Sequence, residues 1–337
     1  MNILINSYCN LKCPYCFADP TMEQKGAQNM TMENFETAIE WCKKLGQQQM
    51  RIIGGEPTLS PMFSSFLDRS AKEGWFDNIL IFTNLTFDRK IAEKIAQVDR
   101  IKPINILANI NEFDLLIPKY KQNILFNINY LYQNLDSFRG IGINIYRPDM
   151  DLSQWEQIFK MYPFIRYFRY SIAIPNKTIL SNNFNFYEYY HQFQPLLLQL
   201  NDMAVKYNLQ IGCDCNNIPI CCFDDDAIAK MLKGSGAQIF SQLDISSDVN
   251  SQLFCGYPVI DLRPDLTIAP CFGYNISEQP YITNFENPED LMSWLNSVGD
   301  TRNYIARKEC LDCIRYKRTG KSCSCKSCHL IKKDEVE

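Results

Sequence analysis

The chain has 337 residues, of which 46% are hydrophobic, 13% aromatic and 21% charged, and its formal charge is −4. That length suits one large domain or two ordinary ones, and the composition excludes a disordered chain, a collagen-like fibre and a disulfide miniprotein. The near-neutral balance provides no global basic field for nucleic acid. No apolar run reaches the ~20 residues of a membrane span, and the N-terminus lacks the basic and apolar regions of a signal peptide. A cytoplasmic protein without membrane contact is expected. Fifteen cysteines stand beside only two histidines, His191 and His329. In a reducing compartment such an excess of thiols points to metal ligation rather than disulfides.

The spacing of apolar residues predicts a strand over Asn2 to Asn6, then a loop holding Cys9, Cys13 and Cys16. A helix opened by Thr31 runs to Leu45, and strand Met50 to Ile53 ends at Gly54-Gly55. The rhythm continues with helix Phe63 to Trp75, strand Ile79 to Thr83, helix Asp88 to Val98, strand Ile104 to Asn109 and helix Ile117 to Leu135. Strand Ile141 to Tyr146, helix Leu152 to Met161, strand Arg166 to Ile174 and helix Phe186 to Tyr207 complete six βα units. Such alternation predicts an α/β fold with parallel strands, as an open sheet or a partial barrel, with its active face at the strand C-termini. From Leu209 the alternation stops. Cys255 to Cys271 reads as a hairpin turning at Arg263-Pro264-Asp265. The expected division is a first domain at 1–208 and a cysteine-rich second domain at 209–337.

Cys9, Cys13 and Cys16 have the spacing CxxxCxxC with no histidine in reach, a donor set suited to a soft metal or an iron–sulfur cluster. Three ligands leave a cubane with one open iron, whereas structural zinc ordinarily takes four. With Tyr15 just before the last cysteine and Gly54-Gly55-Glu56-Pro57 after the second strand, the sequence resembles the radical S-adenosylmethionine superfamily. The resemblance implies a partial (β/α)6 barrel and a [4Fe–4S] cluster on Cys9, Cys13 and Cys16, whose open iron binds S-adenosylmethionine. It also implies cofactor contacts from Tyr15, Gly54, Gly55, Glu56 and Pro57, the glycines by close backbone approach and Glu56 by its charge beside the cofactor's ammonium. Asn84 lies in a segment similar to the family's TN(G), with Leu85 where glycine is common. Asn109, Asn111 and Asn144 are expected as polar contacts to the cofactor's carboxylate or ribose, or as ordinary loop residues. Arg166 and Arg169 alternate with aromatics on the sixth strand and face either the barrel or solvent.

Eleven of the cysteines fall between 213 and 328. Cys255, Cys271, Cys310, Cys313, Cys323, Cys325 and Cys328 resemble the SPASM or Twitch extension of radical enzymes, which implies one or two auxiliary [4Fe–4S] clusters. Cys222 is taken as a further ligand from the group Cys213, Cys215, Cys221 and Cys222. Leu266 replaces the glycine usual in the hairpin's PDG turn, and the final cysteines are compressed. A zinc ribbon is the competing reading of residues 310–328. Residues 301–333 hold ten Lys/Arg against two Asp/Glu, positive charge that favours anionic clusters, an acidic peptide or RNA. Cys42, on an amphipathic helix, is expected to be buried.

The resemblance implies an oxidoreductase that cleaves S-adenosylmethionine to a 5′-deoxyadenosyl radical, with a ribosomally made peptide or protein as substrate and a thioether or carbon–carbon cross-link as product. Flavodoxin or ferredoxin is the expected electron donor. Since the first strand begins near Met1, leader recognition is expected from the basic C-terminal patch or a separate protein. The rival readings are radical chemistry on a small molecule or RNA, and a zinc-organised binding module without catalysis.

Overall fold

The computed structural model describes residues 1–16, 26–173, 190–213, 223–233, 260–270 and 279–300. In chain order the main elements are β1 (Asn2–Leu4), α1 (Met32–Lys44), β2 (Gln49–Ile53), α2 (Phe63–Lys72), β3 (Asn78–Thr83), α3 (Arg89–Asp99), β4 (Ile104–Ala108) and α4 (Pro118–Asn134). There follow β5 (Gly140–Ile145), α5 (Ser153–Met161), β6 (Tyr167–Ile172), α6 (Gln194–Tyr207), β7 (Gln210–Cys213), α7 (Asp225–Lys233), β8 (Ile260–Leu262), β9 (Ile268–Pro270) and α8 (Pro288–Asp300).

Local chemistry explains the predicted starts. Thr31 caps α1 by accepting the Asn34 N–H at 3.1 Å, and Asp88 caps α3 by accepting the Ile91 N–H at 3.1 Å. Phe35, Ala38, Ile39 and Cys42 recur at helical spacing and are all fully buried, as expected for Cys42. Phe35 meets Phe66 of α2 at a ring-centroid distance of 4.4 Å. Beneath these helices runs the apolar face of the sheet, with Ile3, Met50, Ile52, Ile79 and Ile81 all buried. The opposite, inner face carries Asn2, Leu4, Gln49, Arg51, Asn78, Leu80 and Asn105, since residues paired across parallel strands share a face. Along this face Gln49 Nε2 donates to Asn78 Oδ1 at 2.7 Å and Asn105 Nδ2 donates to the same oxygen at 3.1 Å.

The described residues form two compact units. One joins Met1–Arg139 to Pro258–Val298, and its sheet has the order β4-β3-β2-β1-β8-β9. The first five strands are parallel, and β9 returns antiparallel to β8. The second unit holds the parallel sheet β5-β6-β7. The six strands of the expected barrel all occur, hydrogen-bonded as four and two. At the start of β4 the Ile104 N–H donates to Asp99 Oδ1 at 2.7 Å, and the Ile104 carbonyl accepts from Ser137 Oγ.

Three expectations change. The alternation does not stop at Leu209, because β7 pairs parallel with β6 and is followed by α7. Its signal is weak because Gly212 interrupts a four-residue strand; a Cβ there would lie 2.0 Å from the Tyr167 hydroxyl. The hairpin forms as expected, turning over Arg263–Thr267, yet it pairs with β1 rather than standing with a separate C-terminal segment. Helix α6 begins at Gln194 rather than Phe186; residues 174–189 lie outside the described residues.

Candidate functional site

The cysteine loop leaves β1 through Asn6, which is fully buried. Asn6 Nδ2 donates to the carbonyls of Tyr8 (3.1 Å) and Glu56 (2.9 Å), while the N–H groups of Gly55 and Glu56 donate to the carbonyls of Asn6 (3.2 Å) and Tyr8 (2.9 Å). The loop is thereby laced to the turn after β2. Gly54 and Gly55 permit this by their size: a Cβ on Gly54 would lie 2.0 Å from Asn6 Oδ1, and one on Gly55 2.3 Å from the Tyr8 carbonyl oxygen. The close approach expected toward a ligand is made here to the backbone that carries Cys9. Within the loop the Cys16 N–H donates to the Cys13 carbonyl at 3.0 Å.

Glu56 is 1% exposed and its carboxylate is fully engaged. Oε1 accepts from Thr58 N–H (3.3 Å), Thr58 Oγ1 (2.5 Å) and Thr83 Oγ1 (2.8 Å), and Oε2 accepts from the Asn84 N–H (2.8 Å). Burial pushes its pKa up, against those four hydrogen bonds. In this arrangement Glu56 clasps the end of β2 to the end of β3. Pro57 is buried and opens the short 3₁₀ turn that Glu56 caps.

Asn84 turns this clasp toward the thiols. Its Nδ2 lies 3.8 Å from Cys9 Sγ and donates to Asn10 Oδ1 at 3.1 Å, while its Oδ1 accepts from the Thr86 N–H (3.0 Å) and hydroxyl (2.6 Å). Asn10 Nδ2 completes a ring by donating to Thr86 Oγ1 at 2.8 Å. Tyr15 reaches from the cysteine loop to Asn111 beyond β4, its hydroxyl donating to Oδ1. From behind, Asn127 of α4 donates to the carbonyls of Leu85 and Phe87, both at 2.8 Å, and Asn123 to that of Thr86 at 2.8 Å. Asn6, Asn10, Thr58, Thr86, Asn123 and Asn127 were not singled out from sequence, and Thr83 only as part of the TN(G)-like segment. One signal was present: asparagines four apart inside a helix are poor helix formers and need another reason to be there.

The triad cysteines are half-buried. Burial pushes the Cys9 thiol up to about 12; the Leu11 N–H opposes this, and Glu56, Cys13 and Cys16 add repulsion. Three soft donors on one loop fit an iron–sulfur cluster. Among the described residues no three thiol, imidazole or carboxylate groups converge on one ion-sized point, so the triad is not a ready-made mononuclear site.

Asn109 continues the β3–β4 ladder, its N–H donating to the Thr83 carbonyl at 2.9 Å. Asn144 lies on β5, in the second unit, and accepts from Ser171 Oγ at 2.6 Å. Arg166 is exposed and Arg169 half-buried. Cys213 ends β7. Cys215, Cys221, Cys222, Cys255, Cys271, Cys310, Cys313, Cys323, Cys325 and Cys328 lie outside the described residues. Among the described residues no helix is long and apolar enough to cross a membrane.

Residues 3–115 match the Radical SAM superfamily and carry a domain of that kind. The chain is 30% identical over 109 residues to a GTP 3′,8-cyclase of Syntrophomonas wolfei, covering 30% of this chain and 32% of the relative. It is 31% identical over 106 residues to a GTP 3′,8-cyclase of Aquifex aeolicus, covering 30% and 33%. The match thus spans about a third of the length of these curated relatives. In fold, the chain is similar to Streptococcus suis SuiB bound to S-adenosylmethionine, with a TM-score of 0.60 at 16% identity over 93% of this chain and 69% of that one. SuiB bound to the precursor peptide SuiA gives a TM-score of 0.58 at 16% identity, covering 92% and 68%.

Proposed function

We propose, from the radical SAM superfamily domain at residues 3–115, that this chain is an enzyme holding a [4Fe–4S] cluster on Cys9, Cys13 and Cys16 and using S-adenosylmethionine. The observation that carries this reading is a convergence. The cysteine loop, the Gly54-Gly55 turn and Asn84 are joined by direct hydrogen bonds at the C-terminal ends of three adjacent parallel strands. The chemistry such a cluster supplies is one-electron reduction of the cofactor's sulfonium, yielding a 5′-deoxyadenosyl radical able to take hydrogen from an unactivated carbon.

The chain's own residues prepare the site. Asn84 and the Leu11 N–H offer hydrogen bonds to Cys9 Sγ, at 3.8 and 3.4 Å, which tune the potential of a thiolate-bound centre. Glu56 keeps the strand ends in register, and its bonds to Thr58, Thr83 and Asn84 make it a positioning residue. Cofactor contacts by Tyr15, Gly54, Gly55, Glu56, Pro57, Asn84, Asn109 and Asn144 belong to the same proposal. So do a cytoplasmic location, a flavodoxin- or ferredoxin-type donor, and a cluster-bearing segment at 209–337 with Cys222, Cys255, Cys271, Cys310, Cys313, Cys323, Cys325 and Cys328 as ligands.

A peptide or protein substrate is favoured by the likeness in fold to SuiB, which has been captured with its precursor peptide. Identity over about a third of the chain to GTP 3′,8-cyclases supports a second reading, a nucleotide substrate. Anaerobic protein is expected to be brown, with about 4 irons per chain for the triad alone and about 8 to 12 with auxiliary clusters, and to form 5′-deoxyadenosine on reduction. Cys9→Ala, Cys13→Ala and Cys16→Ala should each abolish that product; retained cleavage overturns the triad assignment. Mass spectrometry after incubation with GTP, or after co-expression with short peptides encoded nearby, separates the two substrates.

A further inference from the structure

Arg263 closes β8 at the first position of the hairpin turn. Its backbone is fixed on both sides: its N–H donates to the Thr267 carbonyl and its carbonyl accepts the Leu266 N–H, both at 2.9 Å. Arg263 is 6% exposed, and among the described residues its buried Nη1 has no hydrogen-bond partner. Burial disfavours its charge, and Asp265 and Asp261 attract it. Both have other commitments: Asp261 Oδ1 accepts from Asn2 Nδ2 at 2.8 Å, and Asp265 Oδ1 accepts from the Thr267 N–H (3.1 Å) and hydroxyl (2.6 Å).

The sheet register says where this cation sits. Asn2 pairs with Asp261 and Ile3 with Leu262, so Arg263 comes level with Leu4 and shares its face of the sheet. A strand spacing of ~4.8 Å puts its Cα about that far from Leu4, two residues before Asn6, where the cysteine loop begins. Asn34, in the first turn of α1, donates to the Pro264 carbonyl at 2.8 Å, which confirms that the turn lies at the C-terminal end of the strands. A buried guanidinium with an unmet donor costs stability, and a rigid strand end is where a binding group is held most accurately.

We propose that Arg263 anchors an oxyanion subsite, its guanidinium fork receiving a carboxylate or phosphate group of the substrate beside the cysteine loop. Two parallel N–H donors match the two oxygens of either group, and a lysine does not reproduce that fork. That the bound anion is part of the substrate rests on the function proposed above; that Arg263 binds an oxyanion does not.

The test uses the full-length, cluster-loaded protein, titrated by calorimetry and thermal melting with inorganic pyrophosphate and with succinate, against chloride at matched ionic strength. Wild type is expected to bind at least one oxyanion and to melt higher in its presence. Arg263→Met is expected to weaken that binding at least tenfold, and Arg263→Lys to an intermediate degree. Without any anion, Arg263→Met should melt above wild type, because an unpaired buried charge has been removed. Binding of pyrophosphate alone marks a phosphate source, and of succinate alone a carboxylate source. Equal affinity in Arg263→Met and wild type, no binding beyond chloride, or a lower melting point of anion-free Arg263→Met overturns the subsite. Failure of the wild type to form 5′-deoxyadenosine would count against the proposed function, leaving the titrations to decide the subsite.

Discussion

Leu85 and Leu266 adopt left-handed backbone conformations, with φ of +60° and +67°. Both stand where the resembled families carry glycine, so the sequence marked the two positions without saying why they differ. A non-glycine residue pays about 1–2 kcal/mol for this conformation, and glycine there loses about 0.5–1 kcal/mol through the unfolded chain. At Leu85 the side chain is fully buried, and burial worth about 1.5–3 kcal/mol outweighs the strain. Leu85→Gly is therefore expected to destabilise the protein by about 2 kcal/mol. Leu266 is only half-buried, and Leu266→Gly is expected to be neutral or stabilising by up to about 1 kcal/mol. Chemical denaturation of the two variants checks both signs; a stabilising Leu85→Gly would mean that strain, not packing, governs the turn after β3.

At the scale of elements, three strand ends are made into one site by groups that no linear motif records. The cysteine spacing and the Gly-Gly-Glu-Pro run were legible because the chemistry needs those residue types close together in sequence. The ring of Asn10, Asn84 and Thr86 was not, because its members meet only through the parallel register of β1, β2 and β3. Behind it, Asn127 satisfies the Leu85 and Phe87 carbonyls across the α4 interface. Asn127→Ala removes two buried hydrogen bonds and leaves both acceptors without that donor, at an expected cost of about 2–3 kcal/mol. Urea denaturation measures this, and S-adenosylmethionine affinity should fall with it because the turn bearing Asn84 loosens. A variant as stable as wild type would show that water or repacking replaces the amide. Strand β7 illustrates the opposite failure: four residues broken by Gly212 carry too little alternation to be read, and only pairing with β6 defines them.

For the whole molecule, the position of the hairpin is decisive. Division at residue 208 follows the βα rhythm and the onset of cysteines, yet β8 pairs with β1 and Asp261 bonds Asn2 across 259 positions. Cutting at 208 strips the partner from an edge of β1 and exposes Ile3 and Leu4 together with unpaired backbone groups. A fragment of residues 1–208 is expected to lose near-ultraviolet circular dichroism and to bind a hydrophobic dye, whereas the full chain retains fixed packing. A cooperatively melting fragment would restore the boundary drawn from sequence.

The sequence by itself determined the α/β class, the order of the first six strands, the helix caps at Thr31 and Asp88, and the cysteine loop with its glycine turn. These are written in local periodicity and in side-chain chemistry within a few residues. Tertiary structure alone decided that the glycines make room for the cysteine loop, that Glu56 is a buried clasp, and that the hairpin brings Arg263 to the same strand ends. Each of those depends on contacts between residues tens to hundreds of positions apart. Their physical cause is register, which sets who faces whom and which no local pattern encodes.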